Sequence, residues 1–198
     1  MTPLETTSGA GTSAREPGAA GDVRVVRVGE EDWRSHRDLR LDMLADSPRA
    51  FWAQLAEVQD RTPEQWREEL RGPRIHLQAR CGDQVMGSLA VLPQGYTPEH
   101  VIGQDQAILV SLWVRPEARG SGASRALFRA AAELALELGR PHLLLEVDDA
   151  GHAARRLYAR LGFTETGTRH PRESTGGEWI EYEGRAEHLL QILSLIHI

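Results

Sequence analysis
From Val23 to Val28 valines interleave with arginines, a β-branched, alternating pattern that predicts an opening strand with one buried face. At Asp32 the period lengthens. Trp33, His36, Leu39, Arg40, Met43 and Leu44 recur at helical spacing, and Ser47-Pro48 ends the run. Phe51, Trp52, Leu55 and Val58 mark a second helical stretch. In Thr62-Pro63-Glu64-Gln65 a capping threonine precedes a proline at the first helical position and a glutamine at the third, which predicts a third helix to about Arg71. Ile75 to Arg80 and Gln84 to Leu92 flank Cys81-Gly82-Asp83, the arrangement of an antiparallel hairpin. After a polar loop, Pro93 to Asp105, the nearly unbroken apolar run Gln106 to Val114 predicts a strand covered on both faces. A helix is expected from Ala123 to about Leu138, with Leu127, Ala131, Leu134 and Leu138 as its buried stripe, ended by Gly139 and Pro141. His142 to Val147 predicts a buried strand, His152 to Leu161 a helix stopped by Gly162, and Phe163 to His170 and Glu178 to Glu183 two final strands. With no repeat and no linker between these elements, residues 22–185 are expected to form one domain.

Composition excludes several classes. The 198 residues, 40% hydrophobic and 26% charged, suit one globular domain with tails. The apolar run Ala107 to Val114 falls far short of the roughly 18 residues that cross a bilayer, so no membrane partner is expected. A net charge of -6 would repel a phosphate backbone, and nucleic acid is not expected as a partner. Cys81, the single cysteine, cannot form an internal disulfide and reads as a turn residue; a reducing cytoplasm fits. The eight histidines show no metal-ligand spacing, so no metal is assigned. Residues 1–21 are rich in Gly, Ala, Ser, Thr and Pro without the apolar core of a secretory signal, and read as a disordered leader. Residues 186–198 read as a C-terminal tail. The last six, Leu193 to Ile198, are what a common transposon sequencing adapter yields when translated in frame, and are expected to be an artefact in place of the native end.

The stretch Val110 to Phe128 carries the chemistry. It delivers a buried strand into Arg119-Gly120-Ser121-Gly122, with an amphipathic helix starting at once. Such a junction leaves backbone N–H groups unpaired at the positive end of the helix dipole, which makes an anion site. Two glycines let the backbone curl toward a pyrophosphate, and Arg119 adds charge. By spacing alone the loop could also be a turn whose glycines serve geometry. It lacks the Lys-Ser/Thr ending of a nucleotide-triphosphatase loop and is not G-x-G-x-x-G.

Two motifs together give the loop a context. Arg119-Gly120-Ser121-Gly122-Ala123-Ser124 and Ala154-Arg155-Arg156-Leu157-Tyr158-Ala159-Arg160-Leu161-Gly162-Phe163 resemble the GCN5-related N-acetyltransferase (GNAT) superfamily, whose coenzyme A loop reads Arg/Gln-x-x-Gly-x-Gly/Ala and whose later helix carries A-x-x-L-Y-x-x-x-G-F. Leu39 to Trp66 is similar to the acceptor-side helices of small bacterial members, so the resemblance covers about Val23 to Glu183. Two positions depart from the pattern: Ser124 stands where Gly or Ala is usual, and Gly151 where many members have a capping Asn.

The resemblance implies an α/β fold: a mixed, mostly antiparallel sheet of six to seven strands flanked by four to five helices, with two strands splayed into a V that holds acetyl coenzyme A (acetyl-CoA). It implies that backbone groups of Leu112, Trp113 and Val114 bind the pantetheine arm, and that Arg119, Gly120, Ser121, Gly122, Ala123 and Ser124 hold the pyrophosphate. Gly151, Ala154 and Tyr158 contribute from the later helix. The Val114 N–H is the implied oxyanion donor and Tyr158 the implied partner of the departing thiolate. The acceptor would be a primary amine of a small molecule or peptide, attacking the thioester directly; a homodimer is allowed. An amine at pH 7 needs a base, and Glu146, His76, Glu178 and Glu181 are the candidates. His152 reads as a capping neighbour. The acidic and aromatic content of the stretch from Trp33 to Arg71 suits a cationic acceptor. The alternative is a non-catalytic acyl-CoA-binding regulatory module; an interaction domain dimerising through its last strand comes third.

Overall fold
The computed structural model describes residues 22–172 and 176–195. The expected leader and the final Ile196 to Ile198 lie outside them. Seven strands form one sheet in the order β1-β2-β3-β4-β5-β7-β6. They are β1 (Arg24–Arg27), β2 (Ile75–Cys81), β3 (Gln84–Leu92), β4 (Gln106–Val114), β5 (His142–Asp148), β6 (Thr164–Pro171) and β7 (Glu178–Arg185). All neighbours are antiparallel except β4 and β5.

Among the described residues six α-helices flank the sheet: α1 (Trp33–Asp46), α2 (Leu55–Val58), α3 (Pro63–Arg71), α4 (Ala123–Glu137), α5 (His152–Arg160) and α6 (Ala186–Leu195). The expected capping box starts α3: Thr62 Oγ1 accepts from Gln65 N at 3.3 Å and Thr62 N donates to Gln65 Oε1 at 2.8 Å. Each face has its own core. On one, Leu127, Phe128 and Ala131 of α4 pack on Leu77, Leu89, Leu109 and Leu143 of the sheet. On the other, Trp33, Leu39, Met43, Leu44, Val58 and Trp66 of α1–α3 enclose Trp113 of β4.

Four expectations need correction. Residues 186–195 are no tail: α6 packs on α4, and Ala186, Leu189 and Leu193 are buried in the main core. This adds a sixth helix. Leu138 is 40% exposed because α4 has ended and Gly139, at φ +70°, turns the chain away, so it does not extend the buried stripe. Cys81 closes β2 opposite Gln84, and the turn itself is Gly82-Asp83 with Gly82 at φ +57°. The last strand, β7, lies between β5 and β6, so its hydrogen-bonding edges are already used; the edge strands of the sheet are β1 and β6.

Candidate functional site
The sheet opens at its centre. β4 and β5 pair only through Gln106, Ala107 and Ile108 against His142, Leu143 and Leu144. Beyond these, β4 continues along β3 to Val114, while β5 follows β7 to Asp148. A bulge in β4 redirects the strand: between the pairs Ala90–Val110 and Ser88–Trp113, β3 has one residue and β4 has two, Ser111 and Leu112. Ser111 takes φ +59°, a left-handed conformation that costs a non-glycine residue about 1–2 kcal/mol. Contacts on both sides hold it. Arg40 Nη1 donates to Ser111 Oγ at 3.0 Å, and Ser88 Oγ donates to the Ser111 carbonyl at 3.2 Å.

Arg115 N–H donates to Met86 O on β3 at 2.8 Å. Successive strand amides point to opposite sides, so the Val114 N–H points away from β3 and into the opening. The chain then enters the glycine loop. Gly120 and Gly122 have φ +80° and +87°, and a Cβ at either would meet nothing within 4 Å; the requirement is torsional, and the space in front of the loop is open. Gly122 caps α4 with no side-chain hydrogen bond of its own, while Ser121 Oγ accepts from Ala123 N at 3.3 Å. Ser124 Oγ, one residue into the helix, is buried without a partner. A cavity of about 300 Å³ is bounded by Leu112, Trp113, Val114, Arg119, Gly120, Gly122, Ala123 and Ser124. The Arg119 guanidinium turns aside: it reaches Val114 O at 3.3 Å and Asp46 Oδ2 at 3.2 Å.

A larger cavity, about 780 Å³, fills the V between the strands and the α1–α2 connection, with Leu112 shared between the two. Gly151, Ala154 and Tyr158 line it. The Tyr158 ring sits among Phe128, Phe163 and Tyr182 at centroid distances of 6.4, 6.2 and 6.3 Å. Burial pushes its hydroxyl up to about 12. Glu146, on β5, enters from the other side with its carboxylate almost wholly enclosed and Oε2 unpartnered. Burial raises its pKa, opposed by His170 at 3.6 Å and reinforced by Glu181. Other acids in the wall are engaged. Asp148 forms a buried ion pair with Arg172, whose Nη2 donates to Arg49 O at 2.7 Å and so fastens the α1–α2 connection over the cavity. Asp46 accepts from Trp113 Nε1 at 2.8 Å, which with Ser47 and Arg119 lowers its pKa. At the rim Trp52, 57% exposed, stacks on Trp179 at 6.0 Å and packs against Tyr96 at 5.3 Å.

The Acetyltransferase (GNAT) family model matches residues 37–163. The chain belongs to this family. N-acetyltransferase 8F1 of Rattus norvegicus is 35% identical over 91 residues, 46% of this chain and 40% of that protein. The putative ribosomal protein bS18-alanine N-acetyltransferase of Bacillus subtilis is 35% identical over 77 residues, 39% of this chain and 51% of its own length. The chain thus spans about half or less of these relatives. A solved structure from Salmonella typhimurium, described as a putative acetyltransferase with its cofactor acetyl-CoA, shares the fold with a TM-score of 0.64 at 14% identity, covering 84% of this chain and 95% of that one. A GNAT-family acetyltransferase from Streptococcus pneumoniae gives 0.65 at 16%, covering 83% and 99%.

Within this GNAT fold the predicted site residues gather along the two cavities that share Leu112, with Arg119 at the rim and Ser121 within the loop. The base candidates do not. Only Glu146 lines the larger cavity. Glu178 is exposed and bonded to Arg169, and Glu181 to Thr166. His76 is buried on the α1–α3 side and lowered to about 3 by burial and by His36. Gly151 has a packing reason: a Cβ there would meet Asp148 O at 2.9 Å and Val147 Cγ2 at 3.0 Å. His36, Glu69 and His76 bring donor atoms from three elements within 4.8 Å of one another, a cluster their sequence spacing did not reveal. Glu69 is already paired with Arg61 at 2.5 Å, and Arg40 and Arg74 lie beside His76, so the surrounding charge opposes a divalent cation. Among the described residues no helix is long and apolar enough to cross a membrane.

Proposed function
We propose that the protein transfers an acetyl group from acetyl-CoA to a primary amine of a small molecule or peptide, by direct attack of the amine on the thioester. The observation that carries this reading is the meeting of the two cavities at Leu112, on the bulge that opens the sheet. One cavity offers amides and an unpartnered hydroxyl suited to a pyrophosphate; the other offers an enclosed carboxylate suited to an amine. Leu112, Trp113 and Val114 would align the pantetheine arm through their backbone. Gly120, Ser121, Gly122 and Ala123 would hold the phosphates, with Ser124 Oγ donating to one of them. Arg119, bound to Asp46, would lend charge at the rim rather than form the floor. Gly151 and Ala154 would bound the arm from α5.

Glu146 is the base in this reading. A lysine-like amine with pKa near 10.4 is almost wholly protonated at pH 7, and a carboxylate raised by burial is better matched to accept its proton. The Val114 N–H would donate to the thioester oxygen as negative charge builds there; losing such a donor costs about 2.7–4 kcal/mol of barrier. Tyr158 would donate a hydrogen bond to the leaving sulfur. The family assignment favours the enzyme over the non-catalytic module, and so does the pairing of an enclosed acid with a buried hydroxyl across one cavity. A thiol-release assay with acetyl-CoA and an amine panel tests it. Acceptor-dependent release that falls about 10²-fold or more in Glu146→Gln is expected; binding of acetyl-CoA without release across the panel would favour the module.

A further inference from the structure
Two guanidiniums line the larger cavity without an ion-pair partner among the described residues. Arg40, on α1, and Arg74, just before β2, both line it, and among the described residues neither forms an ion pair. Arg40 spends one nitrogen on Ser111 Oγ, while its Nε is buried without a partner. The nearest acid, Glu69, is held by Arg61 at 2.5 Å and by His36 at 3.3 Å. Burial and the charge of Arg74 both work against Arg40, with only Glu69 in its favour. Like charges on one cavity wall repel, and a ligand anion between them relieves both the repulsion and the unmade hydrogen bond of Arg40 Nε. The phosphates of acetyl-CoA are not that anion in the reading above, since neither arginine borders the glycine-loop cavity.

The rest of the cavity supplies the opposite pole. Glu146 keeps Oε2 unpartnered, with His170 3.6 Å from Oε1, whereas Asp148 is neutralised by Arg172 and Asp46 is bonded to Trp113 and Arg119. Tyr96 lines the same cavity as Arg40, Arg74 and Glu146, so cationic and acidic groups share its wall. A guanidinium presents a planar fork that fits a carboxylate with two parallel hydrogen bonds.

We propose that the acceptor is a small amine carrying its own carboxylate, a free amino acid or a close analogue, held through that carboxylate by Arg40 and Arg74 with its nitrogen toward Glu146. This rests on the acyl-transfer reading for the chemistry but not for the binding. It adds a carboxylate to the cationic amine expected from the acidic and aromatic helices. The aromatic rim of Trp52, Tyr96 and Trp179 makes phenylalanine the first probe.

The test compares free L-amino acids with their matching amides, using acetyl transfer and thermal stabilisation. Converting the carboxylate to an amide makes the amine less basic and more abundant in its neutral form, which favours the amide chemically. A preference for the acid therefore reports recognition of the carboxylate. We expect kcat/KM for phenylalanine to exceed that for phenylalaninamide at least tenfold, and that ratio to fall about tenfold or more in Arg74→Gln and to recover in part in Arg74→Lys. Phenylalanine should also raise the melting temperature of the wild type more than the amide does. Equal or better use of the amides throughout would overturn the proposal, and so would a preference for an aminoalkyl phosphate over every amino acid. Arg74-dependent stabilisation by phenylalanine with no transfer to any amine would keep the carboxylate site and overturn the acyl-transfer reading. Neither transfer to an amino acid nor stabilisation by one would overturn the proposal even if acetyl-CoA binds.

Discussion
Tyr158→Phe isolates one hydroxyl. The ring is held by Phe128, Phe163 and Tyr182, and its oxygen has no hydrogen-bond partner among the described residues, so the variant keeps its packing and its stability should shift by less than about 0.5 kcal/mol. Burial places the hydroxyl at about 12, against a thiol near 8.5. Full proton transfer to the sulfur would then be uphill by about 3.5 units, or about 5 kcal/mol at 1.36 kcal/mol per unit. A cost that large would slow the step several thousandfold, so the hydroxyl acts by donating a hydrogen bond to the sulfur as charge develops. A hydrogen bond to a charged group contributes about 1.5–3 kcal/mol, which puts the expected loss in kcat at about 10- to 100-fold with a much smaller change in KM for acetyl-CoA. Thiol release followed from pH 6 to pH 10 provides the assay. The wild type should show no alkaline fall attributable to Tyr158, since its ionisation lies above that range. A kcat for the phenylalanine variant within twofold of wild type would refute the reasoning.

Three further outcomes are expected. In Glu146→Gln the acid limb of the kcat/KM profile, which burial places above the usual carboxylate range, disappears along with about 10²-fold or more of the rate; an unchanged limb would remove Glu146 as the base. Gly122→Ala meets no neighbour within 4 Å yet must hold φ +87°, so it should cost about 1–2 kcal/mol in denaturant unfolding and weaken acetyl-CoA binding measurably; no change in either would leave the loop conformation without a role. His76, neutral in the fold down to about pH 3 but protonated when unfolded below about pH 6.5, makes the unfolded state bind one more proton across that interval. Stability is therefore full above pH 6.5 and falls on acidification; His76→Leu should reduce the slope between pH 4.5 and 6 by up to about 1.4 kcal/mol per unit, and an unaltered slope would contradict the neutral buried imidazole.

What the sequence reveals divides along a physical line. Local signals translate directly: the capping box at Thr62 and Gln65 and the glycine loop before α4 lie where their own backbone chemistry puts them. In α6 the helical period Ala186, Leu189, Leu193 is also legible, but adapter-like residues overlap it and draw attention from its buried face. The bulge at Ser111 has no local signal, because a serine at φ +59° is held there by Arg40 and Ser88, residues 71 and 23 positions away. The acceptor end is hidden for the same reason. Arg40, Arg74 and Glu146 come from α1, the residue before β2, and β5, and only the folded sheet brings them to one cavity. Composition therefore suggests a cationic acceptor, while the fold brings two guanidiniums and a carboxylate to the wall of one cavity.

Isothermal titration of the folded protein with acetyl-CoA, repeated with Gly122→Ala, bears most directly on the claim that the splayed strands and glycine loop form a coenzyme site. Saturable heat with a Kd in the micromolar range, weakened about fivefold or more by the substitution, is the result this account requires. Absence of heat at millimolar acetyl-CoA, from protein shown to be folded, would contradict it.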